Sequence, residues 1–209
     1  GVVAIHWRTE EIRANLDAFA TAAAHPEAIP APEAFYRDWC AKHYGEDSAG
    51  FAADMLLRIE KIVPASPEFY PYAPSWGRLT EEQAESFRKD IVNLKALAWG
   101  PTQAQRDELV WLENYLRFAL LLDECGRKIE PAYTLKESCL AGEITGEALA
   151  RQAESARKEL DAAPFEALFK TFASRVRSRG ELGELSALNQ KLWGEVVELR
   201  KFLMEIAPK

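Results

Sequence analysis

The chain has 209 residues, enough to bury the core of one large domain or two small ones. Its 48% hydrophobic and 28% charged residues are ordinary globular usage and exclude general disorder. A net charge of −7 opposes binding to a phosphate backbone, which rests on clustered Lys and Arg, so nucleic acid is excluded as a partner.

The first residues, Gly1-Val2-Val3-Ala4-Ile5-His6-Trp7-Arg8-Thr9, read as a buried β-strand followed at once by helix. Nothing later in the sequence looks like a partner strand, and an isolated strand has nowhere to place its backbone N–H and C=O groups. The chain is therefore expected to be a piece of a larger protein that holds the rest of the sheet. Neither a basic n-region nor a small-residue cleavage site marks a signal peptide. Thr9 before Glu10 and Glu11 reads as the N-cap of a helix running to about His25. Pro26, Pro30 and Pro32 punctuate a linker, with Pro32 as the first residue of a helix over 33–44 that Gly45 ends. Asp47 or Ser48 is expected to cap a third helix, with Phe51, Met55, Leu56, Ile59, Ile62 and Val63 at helical spacing until Pro64.

From Val63 to Leu79, Pro64, Pro67, Pro71 and Pro74 stand among Phe69, Tyr70, Tyr72 and Trp76, a long stretch without helical or strand periodicity. Thr80 and Gln83 have the spacing of a capping box, opening a helix to about Trp99. After Gly100 and Pro101, Thr102 starts a helix that is apolar nearly all round from Leu109 to Leu122 and is expected at the centre of a bundle. Interrupted by Glu113, Asn114 and Arg117, it falls short of the roughly 18 apolar residues that span a bilayer. Polar residues four apart in such a helix, as Glu113 and Arg117 are, often pair with each other. The acid pair Asp123-Glu124 reads as a solvent-facing turn at its C-terminal end.

Gly126 and Pro131 are expected to bend or break the segment after Cys125, and Gly142 to close it. Thr145 should cap a charged helix over 146–163, and Pro164 should open another bearing Phe165, Leu168, Phe169, Phe172 and Val176 on one face. Arg175, Arg177 and Arg179, with Glu181 and Glu184 close behind, read as a solvated helix end. The last helix, about 181–206, carries Leu182, Leu185, Asn189, Leu192, Val196, Leu199 and Leu203 three and four apart, a seam that packs inside the chain or zips a homodimer.

Three cysteines, Cys40, Cys125 and Cys139, leave at least one free and read as buried thiols, with a Cys125–Cys139 disulfide as the alternative. His6, His25 and His43 are too scattered for a metal site, and no cofactor motif is present. In the lead strand His6 and Arg8 share one face and Ile5 and Trp7 the other, so one face is placed to meet a ligand. Tyr70, Tyr72, Trp76 and Arg78 in the aromatic stretch either stack on sugars at the mouth of a site or plug a gap between helices.

The stretch Gly1 to Thr9, with Phe35-Tyr36-Arg37-Asp38-Trp39 and His43-Tyr44-Gly45, resembles the end of the catalytic barrel and the following helical region of large bacterial glycoside hydrolases. The nearest likeness is to α-glucuronidase-like and hexosaminidase-like (β/α)8 enzymes; beyond Gly45 it is one of architecture. The resemblance implies that residues 1–25 are the last strand and helix of a barrel and that residues 26–209 form an α-helical C-terminal domain. The expected fold is an all-α bundle of about seven or eight helices after a remnant β-strand. Glycoside hydrolysis usually uses two carboxyl groups about 5 to 9.5 Å apart; on this resemblance they lie upstream, the fragment is inactive alone, and its partner is the barrel of the parent chain. His6, Trp7, Arg8, Tyr70, Tyr72, Trp76 and Arg78 are then the expected carbohydrate contacts. The parent would be periplasmic or extracellular if it degrades polysaccharide and cytoplasmic otherwise. The alternative is a free-standing helical interaction or dimerisation module.

Overall fold

A computed structural model of the chain describes residues 10, 12–28, 30–61, 76, 79–97 and 102–206. Among these every regular element is a helix, and the protein is an all-α helical bundle. In order they are α1 (Arg13–Ala24), a 3₁₀ turn (Pro26–Ala28), α2 (Pro32–Tyr44), α3 (Glu46–Ile59), α4 (Glu81–Leu97), α5 (Gln103–Leu140), α6 (Gly146–Asp161), α7 (Phe165–Arg175), α8 (Arg179–Ala187), a π-helical segment (Leu188–Trp193) and α9 (Gly194–Ile206). The expected lead strand, its Thr9 cap and most of the proline-rich stretch lie outside the described residues. No described helix is long and apolar enough to cross a membrane. The chain forms two compact units: Gly1–Val63 with Glu81–Leu116 and Ser174–Leu182, and Pro64–Thr80 with Arg117–Ala173 and Gly183–Lys209.

In the first unit α1 begins four residues after Thr9, at Arg13, with no acid in its first turn. Pro32 opens α2 as expected, because its fixed φ suits a first turn that needs no N–H there. Tyr36, Trp39, Cys40 and Tyr44 form its buried stripe, at the spacing that keeps side chains on one helical face. Gly45 ends α2 at φ 92° and leads straight into α3, so the third helix starts ahead of both expected caps. Ser48 is buried instead, and the buried side of α3 is largely alanine: Ala49, Ala52 and Ala53 beside Met55 and Ile59. Between α3 and α4, Arg58 Nη2 donates to both oxygens of the buried Asp90, at 2.7 and 2.8 Å.

Helix α5 opens with a capping box: Gln105 accepts the Thr102 N–H at 3.0 Å and the Thr102 hydroxyl accepts the Gln105 N–H at 3.4 Å. Of the expected bend or break at Gly126 and Pro131, the break does not occur: α5 runs through both. Pro131 is exposed, where the carbonyl it leaves without a helical partner can be hydrated, while Ile129, Ala132 and Leu135 are buried around it and hold the helix in register. Cys125 and Cys139 thus share one helix, about 21 Å apart by its rise per residue, far beyond disulfide reach. All three thiols are free, with Cys40 and Cys125 buried.

The second unit packs the later part of α5 (Leu122, Cys125, Ile129, Ala132, Leu135), α6 (Ala153, Ala156, Leu160), α7 (Phe165, Leu168, Phe172) and α9 (Val196, Leu199, Leu203) through their buried stripes. α9 lies against α6, so this part of the seam is covered within the chain. The phase of the seam differs before the π segment: the buried positions are Glu181, Glu184 and Leu188, not Leu182, Leu185 and Asn189. The wider π turn absorbs the shift, bringing Leu192 and Val196 back onto the expected face. Leu182 is 55% exposed and Asn189 is exposed, so Asn189 sets no buried register.

A Schellman motif closes α5: Glu143 N–H bonds Ser138 O at 2.9 Å and Gly142 N–H bonds Cys139 O at 3.1 Å. Gly142 has φ 73° and open space where a side chain would go, so Gly142→Ala tests backbone strain alone. That variant is expected to lose about 1 kcal/mol in chemical denaturation. An unchanged midpoint would show that the left-handed turn does not persist in solution.

Candidate functional site

The densest polar and aromatic cluster of the first unit is built on α2. Trp39 stacks on His43, ring centroids 4.1 Å apart, and meets Tyr44 edge-on at 5.8 Å. Its indole N–H donates to Asp17 of α1 at 2.8 Å. The Tyr36 hydroxyl lies 3.1 Å from Asn15 Oδ1 and makes a short hydrogen bond to Glu60. Three elements therefore meet on two rings. Burial first, then the Glu60 contact, keeps the Tyr36 phenol well above its usual range, so the hydroxyl is the donor to Glu60 at neutral pH. Burial likewise raises Tyr44 and pushes the Cys40 thiol up to about 12, which leaves that thiol protonated and poorly nucleophilic.

An ionic relay flanks this cluster. Glu108 of α5 receives Arg177 at 2.9 Å and Arg13 at 3.5 Å, and Arg13 also lies 3.5 Å from Glu10. Arg13 donates to His43 Nδ1 at 3.0 Å. A guanidinium only donates, so Nδ1 must carry a lone pair and His43 must be neutral. Burial, with the Arg13 charge second, holds the imidazole below its ordinary 6.5.

In the second unit Trp76 is 8% exposed: its N–H donates to the Tyr133 hydroxyl at 3.3 Å, and its ring meets Phe165 edge-on at 5.8 Å. Trp76 is thus a packing residue and offers a sugar no open ring face. His6, Trp7, Arg8, Tyr70, Tyr72 and Arg78, the other expected carbohydrate contacts, lie outside the described residues. Among the described residues no group of three or more His, Cys, Asp or Glu side chains is placed to hold a metal ion.

Two other expectations are corrected. Asp123 does not face solvent at a helix end; it is mid-α5, 7% exposed, and accepts the Leu79 N–H at 2.9 Å and Arg127 Nε at 2.8 Å. Arg127 in turn donates to Leu79 O at 2.7 Å, so one Asp–Arg pair satisfies both backbone groups of Leu79. Of the basic run expected at a solvated helix end, Arg177 and Arg179 are exposed but Arg175 is not. Arg175 is 1% exposed, and Ser178 and Glu181 form a capping box for α8, with the buried Glu181 carboxylate accepting the Ser178 and Arg177 N–H groups at 2.9 and 2.6 Å. The S-x-x-E spacing at Ser178 was a readable signal for that cap; nothing local pointed to Glu60, Asn15, Asp17 or Glu108, which join the site only through tertiary contact.

No protein-family model matches the chain, and the comparisons with curated proteins and with solved structures found no match either.

Asp123→Ala should cost about 2–3 kcal/mol in urea denaturation, because it strands a buried N–H and removes a charge-assisted bond; a loss under about 0.5 kcal/mol, the size of an ordinary surface change, would mean water replaces the carboxylate. For His43, the unfolded chain takes up a proton near pH 6.5 while the folded chain resists it. Its contribution to stability is complete above pH 6.5 and is lost as pH falls through the lower folded value. An NMR titration should place the His43 midpoint below 6.5; a midpoint at or above that value would refute the Arg13 bond.

Proposed function

We propose that the chain is the non-catalytic helical part of a carbohydrate-active glycoside hydrolase, packing on the catalytic barrel of the parent chain and shaping its substrate cleft. The reading rests on the resemblance carried by residues 1–9, 35–39 and 43–45. The observation that carries the non-catalytic part is how those α2 residues are used. Tyr36, Trp39 and Tyr44 are turned inward, and the polar atoms of Tyr36 and Trp39 bind Asn15, Glu60 and Asp17 outside α2. The buried carboxylates Asp90, Asp123 and Glu181 are likewise held by arginines or backbone N–H groups, as fits a scaffold rather than a pair of catalytic acids.

In this reading the reaction belongs to the barrel, and the helices supply a rigid wall. The alternative of a homodimerising module needs a free apolar seam, and Leu192, Val196, Leu199 and Leu203 are fully covered within the chain. The test is to read the complete open reading frame, express its product, and assay aryl glycosides, uronides and N-acetylhexosaminides beside the 209-residue chain. Hydrolysis by the full product and none by the helical chain is expected. A reading frame with no barrel, or a full product inert on every glycoside, would overturn the proposal.

A further inference from the structure

Within the first unit, α1, α2, α3 and α5 line a cavity of ≈ 60 Å³. A water-sized sphere needs roughly 10–15 Å³, so this space admits about four to six water-sized groups. Its wall includes the rings of Tyr36, Trp39, Tyr44, Trp111 and Tyr115, and two carboxylates adjoin it, Glu60 and the Arg13-paired Glu10. Aromatic faces are electronegative and attract a cation within about 6 Å of the ring centre. An anion would meet both those faces and Glu60. A neutral apolar guest would fit the rings and leave the carboxylate without a use.

The charges around the cavity decide the sign of the guest. The Arg175 guanidinium rests over Trp111 at 5.4 Å and Tyr115 at 5.1 Å, so the faces of these two rings that it covers are not open to a guest. Arg13, over the Trp39 ring at 5.9 Å, is offset by Glu10 and Glu108, each at 3.5 Å. Glu60 receives only the Tyr36 hydroxyl and has no ion-pair partner among the described residues. Its carboxylate is held beside the cavity by a neutral donor and meets no described cation there.

We propose that this cavity is a binding site for a small alkylammonium cation, with the rings surrounding its methyl or N–H groups and Glu60 balancing its charge. The site is independent of the glycosidase reading and stands or falls separately from it. Tetramethylammonium is the probe, and tert-butyl alcohol is its uncharged counterpart of similar shape. Calorimetric titration of the chain at constant ionic strength should show saturable binding of tetramethylammonium, with tert-butyl alcohol at least about tenfold weaker. Glu60→Gln should weaken the cation by about 5- to 30-fold and leave the alcohol unchanged. Glu60 is exposed at the end of α3, so this variant should keep the wild-type thermal midpoint. Equal affinity for cation and alcohol in the wild type would reduce the site to an apolar void and overturn the proposal. Lack of saturation by tetramethylammonium, or a folded Glu60→Gln chain with unchanged affinity, would overturn it as well.

Discussion

Burial of the Arg175 guanidinium is the constraint on which the first unit depends. A cation removed from water carries a desolvation cost of several kcal/mol that only well-placed partners offset. The guanidinium is laid over Trp111 and Tyr115, themselves stacked at 5.8 Å, while the Trp111 N–H donates to the Arg175 carbonyl at 3.0 Å and fixes the backbone beside it. Backbone and side chain of one residue are thereby fastened to the same two rings. The segment 174–182, remote in sequence from every other part of the unit, is tied to α5 at that point. Arg177 extends the tie to Glu108, Glu108 to Arg13 and Arg13 to His43, so the cluster on α2 is reached through a relay that starts beside the buried charge.

The second unit solves a different problem by different means. Its charged pairs, such as Lys128 with Glu159 and Arg200 with Asp161, sit at its surface and contribute little individually. Cohesion comes from apolar stripes and from aromatic edges, with Phe165 between Trp76 and Trp193 and Phe118 against Phe172. A costly polar feature is the buried Asp123, which with Arg127 supplies Leu79 with the donor and acceptor that a neighbouring strand would otherwise give. Arg200 over Trp193 at 5.2 Å shows the same use of a cation on a ring, here with a partner half in water.

These two ways of handling charge bear on function. A scaffold is expected to use its polar side chains on itself, and Asp17, Asp90, Asp123 and Glu181 are used in that way. Glu60 departs from the pattern, because among the described residues its hydrogen bond is to a neutral hydroxyl and it adjoins a ring-lined space. A structural role for the helices and a small cation site among them are compatible, since a rigid wall is what keeps five rings in place around a guest.

Local rules were enough to read helix type and most helix starts: Pro32 at a first turn, Thr102 ahead of α5, Gly45 and Gly142 at positive φ, and an amphipathic stripe in α2. Each of these is decided within a few residues by backbone sterics or by a nearby side chain. Local rules failed at Pro131, where packing on both sides outweighs one missing hydrogen bond, and along 181–192, where a π turn changes which face is buried. They fail also for Asp123 and Arg175, whose charge alone points to solvent but which are buried. Whether a charge lies in water or inside depends on what the fold brings to it, and Trp111 lies 64 residues from Arg175 as Leu79 lies 44 from Asp123. The sequence by itself determined the all-α bundle of the described residues and where most of its helices begin; only the tertiary structure decided which charges are interior, because their partners are set by contacts between distant segments.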